Sequence, residues 1–183
     1  ESNLKQMDSP RILHIATHGY FMEDVKPEND NGMRMMGMDA QRVAENPMLR
    51  SGLLLAGCNK TLADNTPLTG ADNGILTAHE AGLLDLSKTE LVVLSACETG
   101  KGEILNGEGV QGLRKAMTDA GAEHILMSLW KVDDKVTSEY MQTFYGHYAQ
   151  GKSIRESYNL TRNEIKQKYP QPYYWGAFVL VGE

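Results

Sequence analysis

Residues 91–96, LVVLSA, open with four consecutive apolar side chains and reach no charge before Glu98. Such a run has no polar face to turn toward water, so as a strand it must be covered on both sides, like an interior strand of a parallel sheet. Parallel strands need crossover connections, and these are usually helices, so the run commits the chain to α/β layers. The flanking segments supply those helices. Thr77 and Glu80 have capping-box spacing ahead of Ala81, Leu83 and Leu84. Val110, Leu113, Met117 and Ala120 recur at three and four residues and stop near Gly121. Asp133 or Asp134 can cap a helix striped with Val136, Tyr140, Phe144 and Tyr148 and stopped by Gly151. Ser153 and Glu156 form a further capping box before Ile154, Tyr158, Leu160 and Ile165, ahead of Pro170.

More strands read from alternation or short apolar runs. RILHIATH (11–18) places Ile12, His14, Ala16 and His18 on one face and ends at Gly19; SGLLLA (51–56), 125–130 and 175–181 complete the set. The stretch 22–50 holds no period, 57–73 is polar and turn-rich, and 100–109 carries four glycines, so loops are expected there. The expected architecture is one α/β domain, with helices on both faces of a mostly parallel sheet. A length of 183 residues suits a single core.

Charge and cysteine content narrow the function. With 24 acidic against 18 basic side chains, the net charge of −6 removes the overall attraction that drives nucleic-acid and anionic-membrane binding, and no basic run is visible. No apolar stretch is long enough to cross a bilayer as a helix. Two cysteines, Cys58 and Cys97, make no disulfide framework and suit a reducing compartment, so the expected location is cytoplasmic.

In open parallel sheets, ligands meet the carboxyl ends of the strands. Two strands end there in reactive side chains: His18 followed by Gly19, and Cys97 followed by the glycine-rich stretch. As neighbours, they place an imidazole beside a thiol, which is what a cysteine nucleophile needs near neutral pH. The Gly19 and Cys97 amides would then form an oxyanion hole. Buried packing is the commoner role of a cysteine, and Cys58, after GLLLAG, resembles Cys97 superficially. His14 and His18 share a strand face roughly 13 Å apart, too far for one metal ion. The stretch 100–109 lacks the Gly-Lys-Ser/Thr ending of a phosphate loop, so a nucleotide-binding domain finds no support. Asp133 and Asp134 read as a helix cap or an acidic pocket wall, and Glu98 as a pocket wall or a solvated charge.

Taken together, ILHIATHG (12–19), LVVLSACETGKG (91–102), GVQGLRKAMTDAGAEHILMSLWKVDD (109–134) and YYWGAFVLVGE (173–183) resemble the CHAT domain, a caspase-like module. The resemblance implies a caspase-like three-layer sandwich and a cysteine endopeptidase in which His18 assists Cys97, with no cofactor. It implies that Ser128, Leu129 and Trp130 lie beside the substrate backbone, and that Glu98, Asp133 and Asp134 are candidates for an acidic pocket taking Arg or Lys. A neutral residue at the cleavage position is the rival. The family core normally begins with a strand and helix before the histidine strand, and only ten residues precede it here. The chain is therefore expected to be the C-terminal part of a longer protein lacking that first strand and helix, controlled by an N-terminal sensor, commonly TPR-like repeats, or by an activating partner. Expected roles are cleavage of a protein substrate in bacterial immunity or programmed cell death. The rival role is a catalytically inactive interaction module, in which Cys97 would be no more reactive than Cys58.

Overall fold

The structure, a computed structural model, describes residues 1–22, 46–64, 73–95, 97–98 and 108–182, with the backbone alone described at 47, 62–64, 97–98 and 108–110. In chain order the elements are α1 (Ser2–Lys5), β1 (Ile12–Ile15), β2 (His18–Phe21), a 3-10 turn (Pro47–Leu49), β3 (Ser51–Leu54), α2 (Cys58–Asp64), β4 (Ile75–Thr77) and α3 (Ala78–Ala81). There follow β5 (Leu91–Leu94), β6 (Cys97–Glu98), α4 (Glu108–Asp119), β7 (His124–Ser128), α5 (Asp134–Ala149), α6 (Ile154–Lys168), α7 (Pro172–Trp175) and β8 (Phe178–Val181). The strands form two sheets, ordered β1-β5-β7-β8 and β4-β3-β2-β6.

The first sheet is the one that residues 91–96 demand. All four residues of β5 are buried, between parallel β1 and parallel β7, while β8 closes the edge antiparallel to β7. One face packs Leu13, Ile15, Val92, Leu94, Ile125 and Met127 against Leu113, Ala116 and Met117 of α4 and Ala120 just past its end. The other packs Leu91, Val93 and Leu126 against Val136, Tyr140 and Phe144 of α5 and Ile154, Tyr158 and Ile165 of α6. This is a mixed α/β fold with helices on both faces of a mostly parallel sheet, consistent with a caspase-like architecture.

Two of the three caps act as their spacing requires, whereas the box expected of Ser153 and Glu156 forms only as a simple Ser153 cap. Thr77 and Glu80 close a reciprocal capping box, the Asp133 side chain accepts from the Lys135 and Val136 amides, and the Ser153 hydroxyl accepts from the Glu156 amide. Gly121 and Gly151 hold φ of 105° and 87° where the helical patterns stop, a region that suits glycine.

Several expectations need correction. The alternation over 11–18 continues across a break: β1 ends at Ile15, and His18 begins β2, which belongs to the other sheet. His14 and His18 therefore do not sit on one strand. The stretch 57–73, read as turns, contains α2 from Cys58 to Asp64. The last strand begins at Phe178, because Pro172–Trp175 forms a helical turn with proline at its start. On α6, Ser157 and Thr161 are fully buried with Ile154, Tyr158 and Ile165, and Leu160 lies off that stripe. Most of 22–50 and of 100–109 lies outside the described residues.

Candidate active site

At the carboxyl edge of the first sheet the chain leaves β1 and β5 and re-pairs in the second sheet. There β2 lies between antiparallel β3 and parallel β6, and the β2–β6 register sets His18 opposite Cys97 and Gly19 opposite Glu98. Adjacent strands lie about 4.8 Å apart, so the histidine and cysteine backbones are nearest neighbours across one ladder. His18 is exposed and Gly19 buried.

Local sequence explains why β2 is held there. The Thr17 hydroxyl, at the break after β1, donates to the Leu54 carbonyl of β3, and Leu54 is the register partner of His18. Gly52, in the middle of β3, allows β4 to approach closely. A Cβ at this position would stand 2.4 Å from the Leu76 carbonyl oxygen and 2.6 Å from Tyr20 Cε1.

Beside this ladder, on the α5 side of the first sheet, an open cleft of about 540 Å³ is lined by His14, Ala16, Ser95, Asp134, Met141 and Tyr145, with Thr137, Ser138 and Gln142 completing it. Ala16 and Ser95 each stand two residues before a member of the His18–Cys97 pair. Within the cleft, the Tyr145 hydroxyl lies 3.0 Å from His14 Nδ1, and His14 Nε2 lies 3.3 Å from Ser95 Oγ. Burial pushes the His14 pKa below the ordinary histidine value and the Tyr145 hydroxyl above the ordinary tyrosine value. Both groups are therefore neutral at neutral pH. In the sequence His14 stands out only as a possible metal ligand, and neither Ser95 nor Tyr145 stands out at all. The available signal was a histidine on the strand face that otherwise carries Ile12.

The acidic candidates separate. Asp133 is occupied as the cap of α5, whereas Asp134, one residue on, lines the cleft. Glu98 and Cys97 are described by backbone alone. Ser128 ends β7, buried and opposite Phe178 of β8. The Leu129 amide donates to the Ala177 carbonyl at 2.8 Å. Trp130 is half-buried, and its indole N–H donates to the Tyr173 carbonyl at 2.9 Å. The similarity of Cys58 to Cys97 ends at sequence, since Cys58 opens α2 rather than following a parallel strand. It is a free thiol. Among the described residues no group of His, Cys, Asp or Glu gathers to hold a metal ion. Nor is any described helix long and apolar enough to cross a membrane.

Comparison with known families matches residues 1–183 to the CHAT domain. Among curated proteins, tetratricopeptide repeat protein 28 of Mus musculus is 30% identical over 95 residues, which is 51% of this chain and 4% of that protein. The chain thus corresponds to a small part of that relative.

Proposed function

The chain belongs to the CHAT-domain family, a caspase-like protease family, and on that premise we propose that it is a regulated cysteine endopeptidase working through a His18–Cys97 dyad. The observation that carries this reading is the register of β2 on β6, His18 opposite Cys97, at the carboxyl edge where ligands meet parallel sheets. The role of each group follows from its chemistry. His18 takes the Cys97 thiol proton as sulfur attacks the scissile carbonyl carbon, then gives it to the departing amine. Water, deprotonated by His18, cleaves the resulting thioester. The Gly19 and Cys97 amides hold the oxyanion, an interaction worth about 2.7–4 kcal/mol per donor.

Residues 128–130 would run beside the substrate backbone. Asp134 would form the acidic wall that receives an Arg or Lys side chain, with Ala16 and Met141 against its apolar stem. Asp133, already spent on the helix cap, is the weaker candidate for that wall. Glu98, opposite Gly19 across the ladder, is a further acidic candidate. A TPR-like sensor region in the same protein, or an activating partner, would control the site, in keeping with a relative named for tetratricopeptide repeats. The substrate would be a protein, cleaved in the cytoplasm in bacterial immunity or programmed cell death.

The test is digestion of a proteome-derived peptide library, with new amino termini read by mass spectrometry. Cleavage after basic residues, lost in Cys97→Ala and His18→Ala, is the expected result. Full cleavage by either variant would remove the dyad, and no cleavage by the activated wild type would leave an interaction module.

A further inference from the structure

The sheet face toward α5 and α6 is apolar where it is covered, with Ile12, Leu91, Val93 and Leu126 packed against those helices. His14, the register partner of Val93, interrupts that face at the end nearest the dyad. An apolar residue there would continue the pattern of Ile12. Instead, the imidazole carried by β1 makes two hydrogen bonds, to Tyr145 of α5 at Nδ1 and to Ser95, just beyond β5, at Nε2. A neutral imidazole donates through one nitrogen and accepts at the other, so it can accept the Tyr145 hydroxyl proton at Nδ1 while Nε2–H donates to Ser95 Oγ. Ser95 is also tied to β1 through its backbone, its amide donating to the Ile15 carbonyl at 3.1 Å. One residue, Ala96, then separates Ser95 from Cys97.

We infer that His14 is a positioning residue for the Cys97 thiol. Its Nε2 contact fixes the side chain of Ser95, and with it the direction in which the chain leaves β5 to pair Cys97 with His18. Bonds between partly exposed side chains contribute little to stability. Misplacement of a reacting group by about 1 Å can nevertheless cost roughly a hundredfold in rate. The consequence expected of this contact is therefore kinetic. The inference rests on the dyad proposed above, since without a reactive Cys97 there is nothing to position.

The test is the alkylation rate of Cys97 by iodoacetamide, followed peptide by peptide with Cys58 as the internal reference, in two variants of similar shape. The glutamine side chain of His14→Gln reaches the place of Nε2 and keeps a partner for Ser95. The asparagine side chain of His14→Asn reaches only the place of Nδ1 and keeps a partner for Tyr145. His14→Asn and Ser95→Ala are expected to slow Cys97 about tenfold or more, with Cys58 unchanged and His14→Gln near wild type. Equal rates in the Gln and Asn variants, both fast or both slow, would overturn the inference, because a merely structural histidine does not distinguish them. His18→Ala separates the two levels. If it leaves the Cys97 rate unchanged, the dyad fails. If it slows Cys97 while His14→Asn does not, only the positioning role fails.

Discussion

The position of His18 depends on how tightly β3 is clamped between β2 and β4, which Gly52 measures, with Gly146 of α5 as an uncrowded control. At Gly52 an added Cβ would meet the Leu76 carbonyl oxygen at 2.4 Å, Tyr20 Cε1 at 2.6 Å and Thr77 Cα at 2.9 Å. Two of those three atoms are backbone, so a strand must move by about 1 Å to reach ordinary van der Waals separation. Overpacking of this kind costs about 1–3 kcal/mol, and with backbone on both counts Gly52→Ala belongs near 3 kcal/mol. Gly146, inside α5, has nothing within 4 Å of its would-be Cβ. There the gain in helix propensity makes Gly146→Ala stabilising by about 0.5–1 kcal/mol. For a chain of this length each kcal/mol shifts the melting temperature by about 2–4 °C, so the variants should melt on the order of 10 °C apart, on either side of the wild type. Thermal unfolding followed by circular dichroism reads this directly. A Gly52→Ala protein melting with the wild type would refute the close β3–β4 approach, and with it the account of how β2 is held.

Three other outcomes follow from local geometry. Thr77→Ala removes the hydroxyl that accepts from the Glu80 amide and should cost about 1 kcal/mol in chemical denaturation. Burial raises the Glu80 pKa, but hydrogen bonds from Lys5 and Thr77 outweigh it and hold the carboxyl below its ordinary value. Its contribution is thus complete above the unfolded pKa of about 4.3 and is lost as pH falls through the lower folded value, so the stability gap between wild type and Glu80→Gln should shrink under acid; a pH-independent gap would contradict this. Asp133→Ala should destabilise by about 1 kcal/mol through loss of the α5 cap, whereas Asp134→Asn should leave the melting temperature nearly unchanged and weaken the preference for basic residues in the peptide-library profile.

Much of the fold was legible because its signals are local. The residues 91–96 demanded burial on both faces, and β5 has it; Thr77, Asp133 and Ser153 were marked by capping chemistry that depends only on residues two or three positions away. The second sheet was not legible. Alternation over 11–18 is continuous, and nothing in it records that Ile15 pairs with Leu94 while His18 pairs with Leu54 and Cys97. Partner choice is a long-range property, and β4, only three residues long, is too short to show a period. The same limit hid part of the candidate site. His18 and Cys97 stood at predicted strand ends, but Tyr145 lies 131 positions from His14, and only folding brings its hydroxyl to that ring.

The register of His18 on Cys97 is tested most directly by thiol reactivity with Cys58 as an internal standard. Iodoacetamide alkylation of both cysteines, measured across pH in the wild type and in His18→Ala, should show Cys97 reacting well ahead of Cys58 near neutral pH and falling to its level without the imidazole. Equal reactivity of the two cysteines in the wild type, unchanged by His18→Ala, would contradict the account.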